Sequence, residues 1–328
     1  MQRRDFITLL GSAAAWPIAA RAQQDGRARR VAYMTSYAES DSLFQAYVTV
    51  LRQGLQQLGW IEGRNLRLDL RFSAHDLDRR RAMAQELVGL APDVIVVGGA
   101  DATRSVQALT RTIPIVFVNV GDPVASGVVS SIARPDGNST GFTNQPASIA
   151  GKWLELLKEA APAVNRAALI FDPGFPVTET YLASIEAAAA GLAVKAIRMP
   201  ARSAPEIERA IDSFANEPNG GVVVVPPPFI DTDRGLILRL TRLHRLPAVS
   251  YDRNDTAGGY LMSYGPDAAE SYRGAASYVD RILRGTKPTE LPVQFPTKFE
   301  LTINLKAAKE IGLTLPPTLV ARADEVIE

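Results

Sequence analysis

A chain of 328 residues, 46% hydrophobic and 22% charged, has the make-up of a globular protein long enough for two domains with separate cores. Its net charge of +1 gives no electrostatic reason to expect nucleic acid or an anionic membrane surface as a partner. It holds no cysteine, which excludes disulfides, thiolate metal ligands, a thiol nucleophile and a lipid-modified cysteine anchor.

The first residues carry a twin-arginine pattern, Arg3-Arg4-Asp5-Phe6-Ile7, then a mostly apolar run and a small-x-small site, Ala20-Arg21-Ala22. That is the order of an export signal, and it predicts cleavage after Ala22 and a mature protein free in the periplasm. Gln2 and Thr8 leave the route open between twin-arginine and general secretory export. No later segment is apolar and long enough to span a bilayer.

Residues 31–34 read as a first strand ending at Thr35-Ser36-Tyr37. Ser42 is placed to cap a helix in which Leu43, Tyr47, Val50, Leu51, Leu55 and Leu58 recur at three- and four-residue spacing, and Gly59 stops it. Residues 66–72 alternate as a second strand, and 77–90 form an amphipathic helix. Two apolar, β-branched runs then flank a helical stretch at 101–110: 94–97 and 113–118. This is a βαβ unit, which requires parallel strands. Its strands end in Gly98-Gly99-Ala100-Asp101 and Asn119-Val120-Gly121-Asp122, at the carboxyl edge where open α/β sheets bind ligands. A short helix is expected at 127–133, a turn at 134–138 and an extended segment at 139–144.

From residue 149 the pattern restarts: helix to 161, strand 167–171, helix 177–190, strand 193–197, helix 205–216, strand 222–225, helix 232–244 and strand 248–251. The closing strands match locally, R-T-I-P-I-V-F-V-N (111–119) against H-R-L-P-A-V-S-Y-D (244–252). Asn119 and Asp252 therefore lie equally far past Pro114 and Pro247. A strand at 258–264, a long helix at 267–284, strand candidates at 291–293 and 299–304, a short helix at 305–311 and an irregular, proline-marked tail follow.

Two similar α/β halves with extended crossovers near 139–144 and 261–264 describe a bilobed protein with a cleft between carboxyl strand edges. At this level the sequence resembles the ABC-importer substrate-binding proteins that include tryptophan- and tyrosine-associated members. The resemblance is carried by T-I-P-I-V-F-V-N-V-G-D-P-V-A-S-G-V-V-S-S-I-A-R-P-D-G-N-S-T-G-F-T (112–143), S-Y-G-P-D (263–267) and the tail from Pro296 to Glu328, and it covers almost the whole mature chain. It implies a type I periplasmic binding fold: two Rossmann-like lobes with parallel sheets, joined by a multi-strand hinge. The lobes are expected at 30–142 with 264–288 and at 143–263 with 289–328. It further implies hinge closure on a small molecule and delivery to an inner-membrane ABC permease, by diffusion because the chain has no anchoring cysteine. The protein is expected to act as a monomer.

Enzyme chemistry finds little footing. Neither histidine, His75 nor His244, sits in a metal spacing, and G-x-x-x-x-G-K-[ST] and G-x-G-x-x-G are both missing. The expectation is a binding protein without catalysis, cofactor or metal. Helices beginning after Tyr37 and Asp101 would turn unpaired backbone N–H groups into the cleft, suited to a carboxylate. The first-lobe candidates are Ser36, Tyr37, Gly99, Ala100, Asp101, Thr103 and Asn119, for some of which ordinary helix capping explains the residue type equally well. In the second half Asp252 suits an ammonium or hydroxyl group, and Asp172, Phe175, Phe229 and Tyr264 follow strands, where aromatic rings can sandwich a planar ligand. The expected ligand is small and carboxylate-bearing, aromatic or an amino acid. A periplasmic sensor that docks on a membrane receptor has the same sequence features.

Overall fold

The computed structural model describes residues 27–74, 76–144, 146–174, 177–226 and 231–328. Residues 1–26, where an export signal is expected, and His75, Phe175 and Phe229 lie outside the described residues. The first lobe is built on β1 (Arg29–Thr35), α1 (Ser42–Gln57), β2 (Leu66–Phe72), α2 (Leu77–Gly89), β3 (Val94–Gly98), α3 (Ala100–Gln107), β4 (Ile115–Val120) and β5 (Ser139–Thr143). Its five strands are ordered β2-β1-β3-β4-β5, all parallel. Every residue of β3 is buried, as its unbroken apolar run requires of a strand covered on both faces.

After α4 (Ala150–Ala160) the second lobe contains β6 (Arg166–Phe171), α5 (Thr178–Leu192), β7 (Lys195–Pro200), α6 (Ala204–Ala215), β8 (Gly220–Val224), α7 (Asp231–Leu243), β9 (Ala248–Ser250), α8 (Arg253–Gly258) and β10 (Met262–Pro266). The chain continues through α9 (Ala268–Leu283), β11 (Phe299–Asn304), α10 (Leu305–Glu310), α11 (Pro317–Val320) and β12 (Glu325–Ile327). The second sheet has seven strands in the order β12-β11-β10-β9-β8-β6-β7, parallel except for the β10–β11 pair. The tail expected to be irregular is therefore partly ordered, with α11 and an edge strand.

Helix α9 crosses back. Its Tyr272, Ala275, Ala276 and Val279 are wholly buried with Val31, Leu51 and Leu55 of the first lobe, each worth roughly 1–3 kcal/mol in water-excluded area for the larger side chains. The strand before it, β10, belongs to the second sheet through Pro266, so the chain changes lobes after that residue rather than at 264. The second lobe has a core on each face of its sheet, with Trp153 at the centre of one. A third connection runs beside β5: Gln294 donates its N–H to Gly141 O at 3.0 Å, and Thr143 donates to Gln294 O at 2.9 Å.

Several local expectations are corrected. Residues 127–133 form no helix: a turn at 123–127, in which the Asp122 carboxylate accepts from the Val124 and Ala125 amides and Gly127 takes a φ of +67°, leads into bends and irregular chain. The strand expected at 258–264 begins only at Met262, because the chain after Asp252 forms helix α8, capped by the Asp252 side chain and ending at Gly258. Residues 291–293 form no strand; an isolated bridge joins Phe142 and Gln294 instead. At α1 the capping role falls to Asp41, whose Oδ1 accepts from Phe44 N at 3.1 Å, and Ser42 is already helical.

Candidate ligand cleft

The carboxyl edges of the two sheets supply groups that act on each other across the lobes. Tyr37, beyond β1, stacks on Phe44 with centroids 6.1 Å apart and acts electrostatically on Arg234 and Tyr251 of the second lobe. Tyr47 of α1 is 8% exposed and lies face to face with Tyr272, 4.8 Å away at 11°. Burial pushes the Tyr47 phenol pKa far above its ordinary value, and the Asp252 charge from the opposite lobe adds to the rise. The lobes also approach at Gly121, where a Cβ would stand 2.6 Å from the Tyr181 hydroxyl of α5, so a larger residue there would displace that ring.

On the second-lobe side, Arg234 sits in the first turn of α7. Its Nη1 is 3.3 Å from Asp255 Oδ1, and its Nη2 donates to the Tyr251 hydroxyl at 3.3 Å. Asp255 is buried and accepts a further hydrogen bond from Ser250 Oγ. Burial alone would depress the guanidinium pKa, but Tyr251, Asp255 and Asp252 outweigh it and the net shift is upward, so Arg234 is a permanent cation. Tyr251, fully enclosed, has its phenol pushed well above the usual range by burial and stays neutral.

The candidates read from sequence separate into groups. Ser36, Gly99 and Ala100 are half-buried at the carboxyl edge of the first sheet. Gly99 caps α3 with a φ of +86°, a conformation costly for any residue with a Cβ, and no side chain caps the helix. Thr103 is 0% exposed and donates its hydroxyl to Gly99 O at 2.7 Å, which removes it from any ligand surface. Asp101 turns toward Arg104 and lies 3.8 Å from Arg80, pairing along the α2–α3 groove. Asn119 has a φ of +55° and bonds α9, accepting from Ser271 Oγ at 3.2 Å and donating to the Tyr272 hydroxyl at 3.3 Å. Asp172 closes a turn by accepting from Gly174 N at 2.7 Å.

Asp252 remains half-buried beside Tyr251, with Oδ1 accepting from the Asn254 amide at 2.9 Å and from its side chain at 2.7 Å. The Tyr264 ring stacks on Phe299, 5.9 Å away, and its carbonyl accepts from Trp153 Nε1 at 2.7 Å. The structure thus places Tyr37 and Asp252 within electrostatic reach of the same three side chains, Tyr47, Arg234 and Tyr251. Tyr47 was legible only as a core position of its helix. Arg234 did carry a signal: a cation in the first turn of a helix opposes the macrodipole, so another interaction must account for it.

The crossover segments carry an unusual load. Thr143 Oγ1, Asn144 Oδ1 and Ser263 Oγ are buried without a hydrogen-bond partner among the described residues. A crevice of about 230 Å³ opens where the connections meet, lined by Phe142, Asn144, Pro266, Ser271, Gln294 and Phe295 among others. Among the described residues, no group of three or more His, Asp or Glu side chains is placed to hold a metal ion, and no helix is long and apolar enough to cross a membrane.

Two α/β lobes joined by several crossovers, with facing polar and aromatic groups, define a bilobed binding protein of the type I periplasmic binding fold. The chain belongs to the ABC transporter substrate binding protein family, whose model matches residues 32–327. A tyrosine-binding protein of Clostridioides difficile strain R20291 is 22% identical over 262 residues, 80% of this chain and 75% of that protein. A conserved domain protein of Vibrio cholerae O1 biovar El Tor superposes with a TM-score of 0.81 at 26% identity, covering 92% of this chain and 100% of the other. An ABC domain of Streptococcus pneumoniae in complex with L-Trp superposes with a TM-score of 0.82 at 19% identity, again over 92% and 100%.

Proposed function

We propose that this protein is the periplasmic solute-binding component of an ABC importer. It captures a small carboxylate-bearing ligand, aromatic or an amino acid, between its lobes, closes on it by hinge motion and hands it to an inner-membrane permease. The observation that carries this reading is the convergence of Tyr37 and Tyr47 from one lobe with Arg234, Tyr251 and Asp252 from the other. A ligand between them gains contacts from both lobes only in the closed state, so binding energy drives closure. The orphaned oxygens of Thr143, Asn144 and Ser263 support the hinge role, since buried polar groups left unpaired in one conformation are free to pair in another. The names of the tyrosine-binding relative and the L-Trp complex support the ligand class. The signal-like pattern of residues 3–22, twin arginines, apolar run and small-x-small site, supports the periplasmic location.

The test is a thermal-shift screen of residues 23–328 against amino acids, aromatic carboxylates, sugars and nucleosides. The expected result is a midpoint that rises with the logarithm of ligand concentration for one carboxylate class. Absence of any shift across the whole screen would move the assignment to a receptor-docking sensor or a protein-binding role.

A further inference from the structure

We infer that Arg234 is the residue that reads the anionic end of the ligand, that Tyr251 and Asp255, the latter tied by Ser250, hold its guanidinium in position for that contact, and that Tyr260 holds its backbone. The inference rests on the ligand-binding reading of the cleft and assigns the charge recognition within it.

Position comes first. Arg234 stands in the opening turn of α7, just past the carboxyl edge of β8, where the helix dipole disfavours a cation. A residue that breaks a local rule while being held by several neighbours is a signature of function. The holding is explicit. Arg234 O accepts from the Tyr260 hydroxyl at 3.2 Å, Nη2 donates to the Tyr251 hydroxyl at 3.3 Å, and Nη1 faces Asp255 Oδ1 at 3.3 Å. Ser250 Oγ in turn ties the other oxygen of Asp255.

What this arrangement leaves open is equally informative. The Arg234 side chain is still 18% exposed, against 7% for Asp255, and its Nε has no partner among the described residues. The first lobe's Tyr37 is close enough to act on it electrostatically. When the lobes close, the remaining water must leave. A ligand carboxylate then replaces that water with charge-assisted hydrogen bonds to a fork already fixed in place.

The other receptor in the cleft is the N-terminus of α3, which offers backbone N–H groups beyond Gly99. It offers only neutral backbone donors, and its first-turn Asp101 is already paired with Arg104 and Arg80. Arg234 has its own countercharge at Asp255 on the protein side, and the two form a rigid pair rather than a repulsive one.

The test uses residues 23–328 and isothermal titration with acids and their matched primary amides: L-tryptophan and L-tryptophanamide, L-tyrosine and L-tyrosinamide, benzoate and benzamide. The wild-type protein is expected to bind at least one acid a hundredfold or more tighter than its amide. Arg234→Gln should collapse that ratio to within a few-fold of unity, and Arg234→Lys should leave an intermediate ratio. Because Arg234→Gln strands a buried carboxylate and can unfold, the double variant Arg234→Gln with Asp255→Asn is measured too, and it should show the same collapse with a near-wild-type thermal midpoint. A folded double variant that keeps the full ratio overturns the role of Arg234 while leaving the ligand-binding reading intact. A wild-type protein that binds only amides or other uncharged compounds overturns the anionic recognition alone. A wild-type protein that binds nothing, here or among sugars and nucleosides, removes both readings.

Discussion

Replacing Asn119 by alanine removes two contributions at once, and replacing it by glycine removes only one. Asn119 sits where the β4–β5 register shifts, with φ at +55°, a left-handed conformation that asparagine tolerates and alanine does not, by about 1 kcal/mol. Its side chain bonds Ser271 Oγ at 3.2 Å and Tyr272 Oη at 3.3 Å, and each such bond contributes about 1 kcal/mol net. Asn119→Ala should therefore cost about 3 kcal/mol from strain and two lost bonds. Asn119→Gly should cost about 2 kcal/mol, losing the bonds and some unfolded-state entropy while keeping the backbone comfortable. Urea unfolding of residues 23–328 followed by tryptophan fluorescence suits the measurement, because Trp60 packs on the first-lobe core and Trp153 lies in that of the second. The first-lobe transition should move and the second should not. A glycine variant as stable as the wild type would refute the bonding to α9, and one as unstable as the alanine variant would refute the strain.

Other perturbations read other parts of the molecule. Asp93 accepts from Arg30 N at 2.7 Å and from Arg29 Nη1 at 3.0 Å; burial raises its pKa, but the Arg30 amide and the Arg29 and Arg27 guanidinia outweigh that, and the net shift is downward. A depressed carboxyl pKa stabilises the fold fully above the unfolded value of about 4, and the contribution drains as pH falls through the folded value. The thermal-midpoint gap between wild type and Asp93→Asn should thus be constant from pH 7 to 5 and narrow below about pH 4; a gap independent of pH would exclude this linkage. Trp153→Phe orphans the Tyr264 carbonyl, which the indole N–H holds at 2.7 Å, and should lower stability by roughly 2–4 kcal/mol in urea, with a loss under about 0.5 kcal/mol counting against that role. Gly265→Ala places a Cβ 1.9 Å from Tyr251 O, backbone against backbone, so it should cost roughly 2–3 kcal/mol or more; an unchanged midpoint would contradict that packing.

The repeating βα pattern was legible because its signals are local. Buried strands such as β3 announce themselves as unbroken β-branched runs, and α1 and α9 as three- and four-residue apolar periods. The site was less legible because polar residues after strands serve two purposes that composition cannot separate. Asp252 illustrates both: its side chain caps α8, which the sequence reading missed, and its charge still reaches Tyr47 across the lobes. Thr103 and Asp172 turned out to satisfy their own backbones. Tyr47 was hidden because a ring on the apolar face of a helix looks like core, and its stacking on Tyr272 of α9 and the reach of the Asp252 charge to it emerge only in three dimensions.

The strand that ends the chain has a practical corollary. Arg29 starts β1 in the first sheet, whereas β12 pairs with β11 at the edge of the second, so β1 and β12 ride on different lobes. A donor fluorophore beside β1 and an acceptor beside β12 would turn the unmodified cleft into an optical reporter of its own occupancy.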